Sequence, residues 1–224
     1  MRHVTNAAGG GTELRVSDEE LAMPTDRRLV LAAERLFAER GIDGVSLRAV
    51  MSAAGANVAA VHYHFGSKEA LIETLVRQRS DVVAARRGAL LDEMENSGAV
   101  TPRGLAEAFV LPVWEMATGE GASWVKFIAG IVGGGHPALT VVADGFADQA
   151  VRFMSLLGRA VPELPSGTMR FRLAQAMTLT FQVLGDLHQT QDLLAISGVQ
   201  LEPDQVLAEL VDVVTAILAG PPSS

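Results

Sequence analysis

The chain has 224 residues, 49% of them hydrophobic, which is enough to bury a real core in one or two small domains. It contains no cysteine, so disulfides and thiolate metal sites are excluded, and a reducing compartment is the expected setting. A formal net charge of −8 excludes a uniformly basic nucleic-acid binder, and no apolar run reaches membrane-spanning length. A cytoplasmic protein with no membrane partner is expected.

Residues 1–24 hold Gly9, Gly10 and Gly11 among mixed polar residues without a helical stripe, and read as a flexible tail. The first helix follows. In TDRRLVLAAERLFAERG the apolar residues Leu29, Ala32, Ala33, Leu36 and Phe37 repeat as one buried stripe, with Thr25 as the expected cap and Gly41 as the expected stop.

Residues 46 to 68, SLRAVMSAAGANVAAVHYHFGSK, predict two short helices around a tight turn and the start of a third. Ser46 caps a helix whose inward set is Leu47, Val50, Met51 and Ala54, and Gly55 supplies the turn. Asn57 caps the second helix. There Val61 and Phe65 share an inward face, which turns Ala59, Ala60, His62 and Tyr63 wholly or partly outward. A projecting helix with Asn, His and Tyr on its open side suits a groove of DNA, and small alanines allow close approach. His62 and His64 are two apart and point to different sides, so no shared metal is expected. His64, beside Phe65, reads as a packed or capping histidine.

Gly66 ends this helix and Ser67 caps the next, with Lys68 in its first turn. A cation there opposes the helix dipole and calls for a compensating partner, which a DNA phosphate would supply. That helix is expected to run to about Met94 and to break near Asn96, Ser97 and Gly98, making it the connector to the rest of the chain. Further helices are expected at about 102 to 118, 121 to 132, 137 to 161, 167 to 193 and 203 to 219, with no strands. Pro112 should kink its helix, and Gly133 to Pro137 should form a loop.

From Thr25 to about Ala84 the chain resembles the DNA-binding domain of the TetR-type transcriptional regulators, in LVLAAERLFAERGIDGVSL and in AAGANVAAVHYHFGSKEAL. The ending HFGSKEAL is the most distinctive part. The resemblance implies an all-α protein with a three-helix helix-turn-helix head at 25–84 and a helical ligand-binding and dimerising body at 85–224. It places Asn57 to His64 in the recognition helix and Lys68 against the DNA backbone. With Ser46 and Arg48, the expected DNA-binding set is then Asn57, Ala59, Ala60, His62, Tyr63 and Lys68. The chain has His62 and Tyr63 where the family pattern has a tyrosine and a variable residue before His-Phe. The phosphate contact of that tyrosine therefore passes to His62 or to Tyr63. ANVAAVHYHFGSKEAL also resembles a subgroup with members that sense fatty acids or acyl-CoA esters.

Charge is segregated in the same way. Residues 25–87 hold ten Lys/Arg and seven Asp/Glu, net +3, whereas residues 88–224 hold six and fifteen, net −9, and the tail is net −2. The field around the head therefore still favours phosphate.

Large side chains gather in the second part of the chain. Trp114, Trp124, Phe127, Phe153, Met177 and Phe181 are candidates to line an apolar ligand cavity, with ordinary core filling as the competing reading of each. Lys126, Arg152 and Arg172 are candidate anchors for an acidic ligand, against a reading as solvated charges. The last two predicted helices carry wide apolar faces, so Phe181, Leu184, His188, Leu210, Val214 and Ile217 are the expected dimer contacts.

These readings imply a homodimeric repressor that binds a pseudo-palindromic double-stranded operator and is released by a small, largely apolar inducer, with no cofactor and no metal. One competing class is an enzyme or small-molecule-binding protein whose helix-turn-helix is structural; another is a sequence-blind architectural DNA binder. Against an enzyme, no phosphate-binding glycine loop, HExxH or GxSxG occurs, and Asp186 and His188 point apart on one helix. An architectural binder would carry a more basic surface.

Overall fold

The computed structural model describes residues 22–57 and 65–220, and every regular element among them is a helix. They are α1 (Thr25–Arg40), α2 (Leu47–Ala53), α3 (Lys68–Ser97), α4 (Pro102–Ala117) and α5 (Ala122–Gly134). After these come α6 (Leu139–Gly145), α7 (Ala147–Ala160), α8 (Ser166–Gly185), α9 (Leu187–Ile196) and α10 (Pro203–Ala219).

Local chemistry sets the boundaries in the N-terminal part. The Ser46 hydroxyl accepts the Ala49 N–H at 3.2 Å, and the Ser67 hydroxyl accepts the Ala70 N–H at 3.1 Å, so both serines cap as expected. After α2 the chain reverses at Gly55, φ +59°, and the Ala56 N–H reaches back to the Met51 carbonyl at 3.0 Å. Thr25 does not cap α1. Pro24, with its φ already near the helical value, is the capping residue and Thr25 is the first helical residue. Its hydroxyl accepts from Arg28 at 3.3 Å.

α3 is the longest element, with 30 residues, or about 45 Å at 1.5 Å per residue. Leu71, Ile72, Leu75 and Val76 are buried near its start, and Val83, Arg87 and Leu91 in its second half, where it packs along α4. One helix thus belongs to both parts of the chain.

α5 is the hub of the C-terminal part. Trp124, Val125, Phe127, Ile128 and Ile131 are all buried, and the helix packs on α8, α1, α4 and α3. A helix apolar on most of its circumference has to be enclosed in this way. Gly185 lets α8 cross it closely, because a Cβ there would overlap the Cβ of Ala129. α10 closes the bundle against α4 and α8.

Two expected helices are each divided. The stretch expected at 137 to 161 breaks at Phe146 between α6 and α7, and the one expected at 167 to 193 breaks at Asp186 between α8 and α9. Gly133 and Gly134 lie in α5, so the expected loop begins only at Gly135, φ +64°. α4 is assigned as one helix across Pro112.

Candidate DNA-binding head and ligand cavity

In the head, Ser46, Arg48 and Asn57 are exposed at the ends of α2 and just beyond its turn. Ala59, Ala60, Val61, His62, Tyr63 and His64 lie outside the described residues. Phe65 packs half-buried against the core. Lys68 has a partner inside the protein: its ammonium donates to the Ile42 carbonyl at 2.6 Å and lies 5.9 Å from the Phe37 ring centroid. The compensation expected from a phosphate is thus supplied by the loop between α1 and α2.

Head and body share a seam. Phe37 of α1 stacks on Phe127 of α5 with centroids 5.7 Å apart. Beside it the buried carboxylate of Glu34 accepts from Arg79 of α3 at 3.3 and 3.5 Å. Burial pushes the Glu34 carboxyl above its ordinary value, and Arg79 opposes that shift. The loop after α5 approaches the head as well, with His136 Nε2 at 3.6 Å from Asp43.

In the body, α3, α4, α7 and α8 line a cavity of about 500 Å³ that is partly open to solvent. Phe109, Phe146, Phe153 and Phe181 form much of its wall, with Met154, Leu173 and Met177. Arg87 is its one buried cation among the described residues. The guanidinium is 5% exposed, donates to the carbonyls of Ala108 at 3.3 Å and Phe109 at 3.2 Å, and stands 4.7 Å from the Phe109 ring centroid and 5.7 Å from that of Phe146. Pro112 explains the first of these bonds. Proline has no N–H, so the Ala108 carbonyl four residues earlier loses its helical donor, and Arg87 replaces it. Burial draws the guanidinium pKa down to about 10, which still leaves it charged at neutral pH.

Two family models match the chain. "Bacterial regulatory proteins, tetR family" covers residues 29–75, and "Tetracyclin repressor-like, C-terminal domain" covers residues 107–216. The chain belongs to the TetR family of transcriptional regulators. Among curated proteins, HTH-type transcriptional regulator UidR of Escherichia coli K12 is 34% identical over 65 residues, 29% of this chain and 33% of that protein. The chain therefore spans about a third of the length of the curated relatives it matches. Among solved structures, the ketosteroid transcriptional regulator KstR2 of Mycobacterium tuberculosis superposes with a TM-score of 0.55 at 18% identity, over 90% of this chain and 97% of that one. The TetR family transcriptional regulator PfmR of Thermus thermophilus gives 0.55 at 17%, over 88% and 100%. The multidrug binding protein EbrR, complexed with imidazole, gives 0.53 at 20%, over 90% and 98%. At these identities the likenesses show the fold alone.

Within this TetR-family fold, the residues expected around a ligand separate into two groups. Phe153, Met177 and Phe181 line the cavity. Trp124, Phe127 and Trp114 do not. Trp124 lies behind Phe181, centroids 6.5 Å apart, and its indole N–H donates to the Leu75 carbonyl at 2.9 Å. Phe127 belongs to the seam with Phe37, and Trp114 is a half-buried residue of α4 packed on the core.

The three proposed cationic anchors are committed elsewhere. Lys126 pairs with Asp186 at 2.7 Å, Arg152 with Asp92 and Glu95 at 2.5 Å each, and Arg172 donates to the Leu218 carbonyl at 3.3 Å. Asp186 also caps α9 by accepting the Gln189 N–H at 3.0 Å, and the Lys126 ammonium holds its carboxyl below the ordinary range. Arg87 carries one signal in the sequence, its place four residues from both Val83 and Leu91 on the buried line of α3.

The residues expected at a dimer contact differ in how far the protomer itself buries them. Phe181 (3% exposed), Leu184 (3%), Leu210 (4%) and Val214 (0%) are consumed by packing inside the protomer, because α8 and α10 bury these stripes against α4, α5 and each other. Only His188 and Ile217 of that set keep appreciable surface. Among the described residues, no single helix is long and apolar enough to cross a membrane.

Proposed function

We propose that this TetR-family regulator is a repressor that binds a pseudo-palindromic operator as a homodimer and leaves it when a small, largely apolar molecule enters the body. The observation that carries this reading is the path of α3. The helix starts in the head, where Lys68 ties it to the loop before α2, and about five turns later it contributes Arg87 to the cavity wall. A ligand that fits the cavity better in one setting of α3 than in another shifts the head by that difference in affinity.

In this reading the division between head (25–84) and body (85–224) falls inside α3, and residues 1–24 form a separate tail. Asn57, Ala59, Ala60, His62 and Tyr63 meet the major groove, with Ser46 and Arg48 at its edge. Two such heads address half-sites about 34 to 36 Å apart or at a multiple of that distance.

Selection from random duplexes by the full-length protein, followed by mobility shift of the enriched sequence, tests the proposal. The expected product is an inverted repeat bound by two copies. Enrichment of no sequence, with uniform salt-dependent binding to all duplexes, overturns specific recognition.

A further inference from the structure

Arg87 is in an unusual position for a buried charge. A guanidinium taken out of water is normally neutralised by a carboxylate, since an uncompensated ion in the interior is costly. Among the described residues Arg87 makes no ion pair: its partners are two backbone carbonyls and two aromatic rings. The Nε–H and one Nη2–H are used on the carbonyls of α4, which leaves the Nη1 hydrogens and the second Nη2 hydrogen. The end of the guanidinium made by Nη1 and Nη2 is then the edge still able to meet a carboxylate with two parallel bonds.

The rest of the cavity points the same way. Among the described residues no Asp or Glu lines it, so a cationic guest finds no counter-charge there. Arg170, exposed on α8, is the only other charged lining residue among the described residues, so a polyphosphate is poorly matched. The remaining wall is mostly aromatic and aliphatic. Gln149 is the exception, and its buried side-chain oxygen meets no hydrogen-bond donor among the described residues.

We propose that the effector of this cavity is an organic carboxylate with an apolar body, its carboxylate paired with Arg87 and its body packed among Phe109, Phe146, Phe153 and Phe181. The inference rests on the cavity being the ligand site. A hydroxyl on the body would satisfy Gln149. Because Arg87 belongs to α3, the ion pair forms on the same helix that enters the head.

The test is isothermal titration of the full-length protein with acids and alcohols matched in shape: 4-phenylbutyrate against 4-phenyl-1-butanol, and octanoate against 1-octanol. At least one acid is expected to bind about tenfold or more tightly than its alcohol, the range of a charge-assisted pair formed away from water. Arg87→Lys, which keeps the charge and loses the planar fork, is expected to lower the acid-to-alcohol affinity ratio severalfold. The acid-to-alcohol ratio is read on the unmodified protein, so the outcome does not depend on the variant folding. Equal affinity for acid and alcohol overturns the carboxylate assignment and leaves the ligand cavity standing. Binding of neither pair overturns both.

Discussion

Glu34 at the seam between head and body and Arg87 in the body are both buried ions on long helices, yet their surroundings differ in kind. Glu34, 2% exposed, is met by the two-pronged guanidinium of Arg79. Arg87, 5% exposed, is met by carbonyl dipoles and ring faces and has a cavity in front of it. The first arrangement is electrostatically complete and needs nothing from outside the chain. The second lacks a counter-ion among the described residues, which is what a binding site for an anion requires.

Removing Arg79 is the largest expected effect. Arg79→Met leaves the Glu34 carboxylate buried without its cation and should cost about 3 kcal/mol in denaturant unfolding. The pH dependence sharpens this. The folded Glu34 carboxyl has a pKa above its unfolded value, so its contribution is most favourable below the unfolded pKa and is lost as pH rises through the folded one. Arg79 lowers that folded value, so its loss should widen the window. The variant should then lose more stability than the parent as pH rises above about 4.5, and parallel pH profiles for the two proteins would refute this account of the pair.

At Arg87 the same kind of substitution should do less. Arg87→Met relieves the burial of an unneutralised cation, but it strips the donor from the Ala108 carbonyl, for a net loss of about 1–2 kcal/mol. Pro112 provides the control. Pro112→Ala restores a backbone N–H to that carbonyl, so its benefit should be about 1 kcal/mol larger in the Arg87→Met background than in the parent. An additive double-mutant cycle would mean that Arg87 is not replacing the missing helical donor.

Legibility in the sequence followed the range of the interactions. Ser46, Gly55, Ser67 and Gly98 punctuate helices through bonds made within a few residues, and those boundaries were readable. The breaks at Phe146 and Asp186 were not, because the apolar period continues across both and a single preceding glycine is ordinary within a helix. Cavity and core were still harder to separate. Trp124 and Phe153 look alike as large apolar residues on helices, and only the packing of α5 at the hub puts one behind the wall and the other on it. The apolar stripes of α8 and α10 are ambiguous for a related reason: an apolar face reports that something covers it, and for Phe181, Leu184, Leu210 and Val214 the same chain supplies cover.

The ion pair between Lys126 and Asp186 completes the series, since its side chains are 47% and 33% exposed. Water screens such a pair, so Lys126→Ala should change stability by less than about 0.5 kcal/mol. Asp186→Ala should cost about 1 kcal/mol, because it also removes the cap that holds the Gln189 N–H at the start of α9. The folded Asp186 carboxyl lies below its ordinary value of 3.8, so its stabilising contribution is present above that pH and is lost as pH falls through the folded value. Hydrogen exchange localises the effect. Asp186→Ala should speed exchange in the first turn of α9 while α8 and α5 keep their protection, whereas Lys126→Ala should leave all three nearly unchanged. Equal losses from the two substitutions would make the ion pair the dominant contribution and would remove the contrast between an exposed charge pair and the buried ions at Glu34 and Arg87.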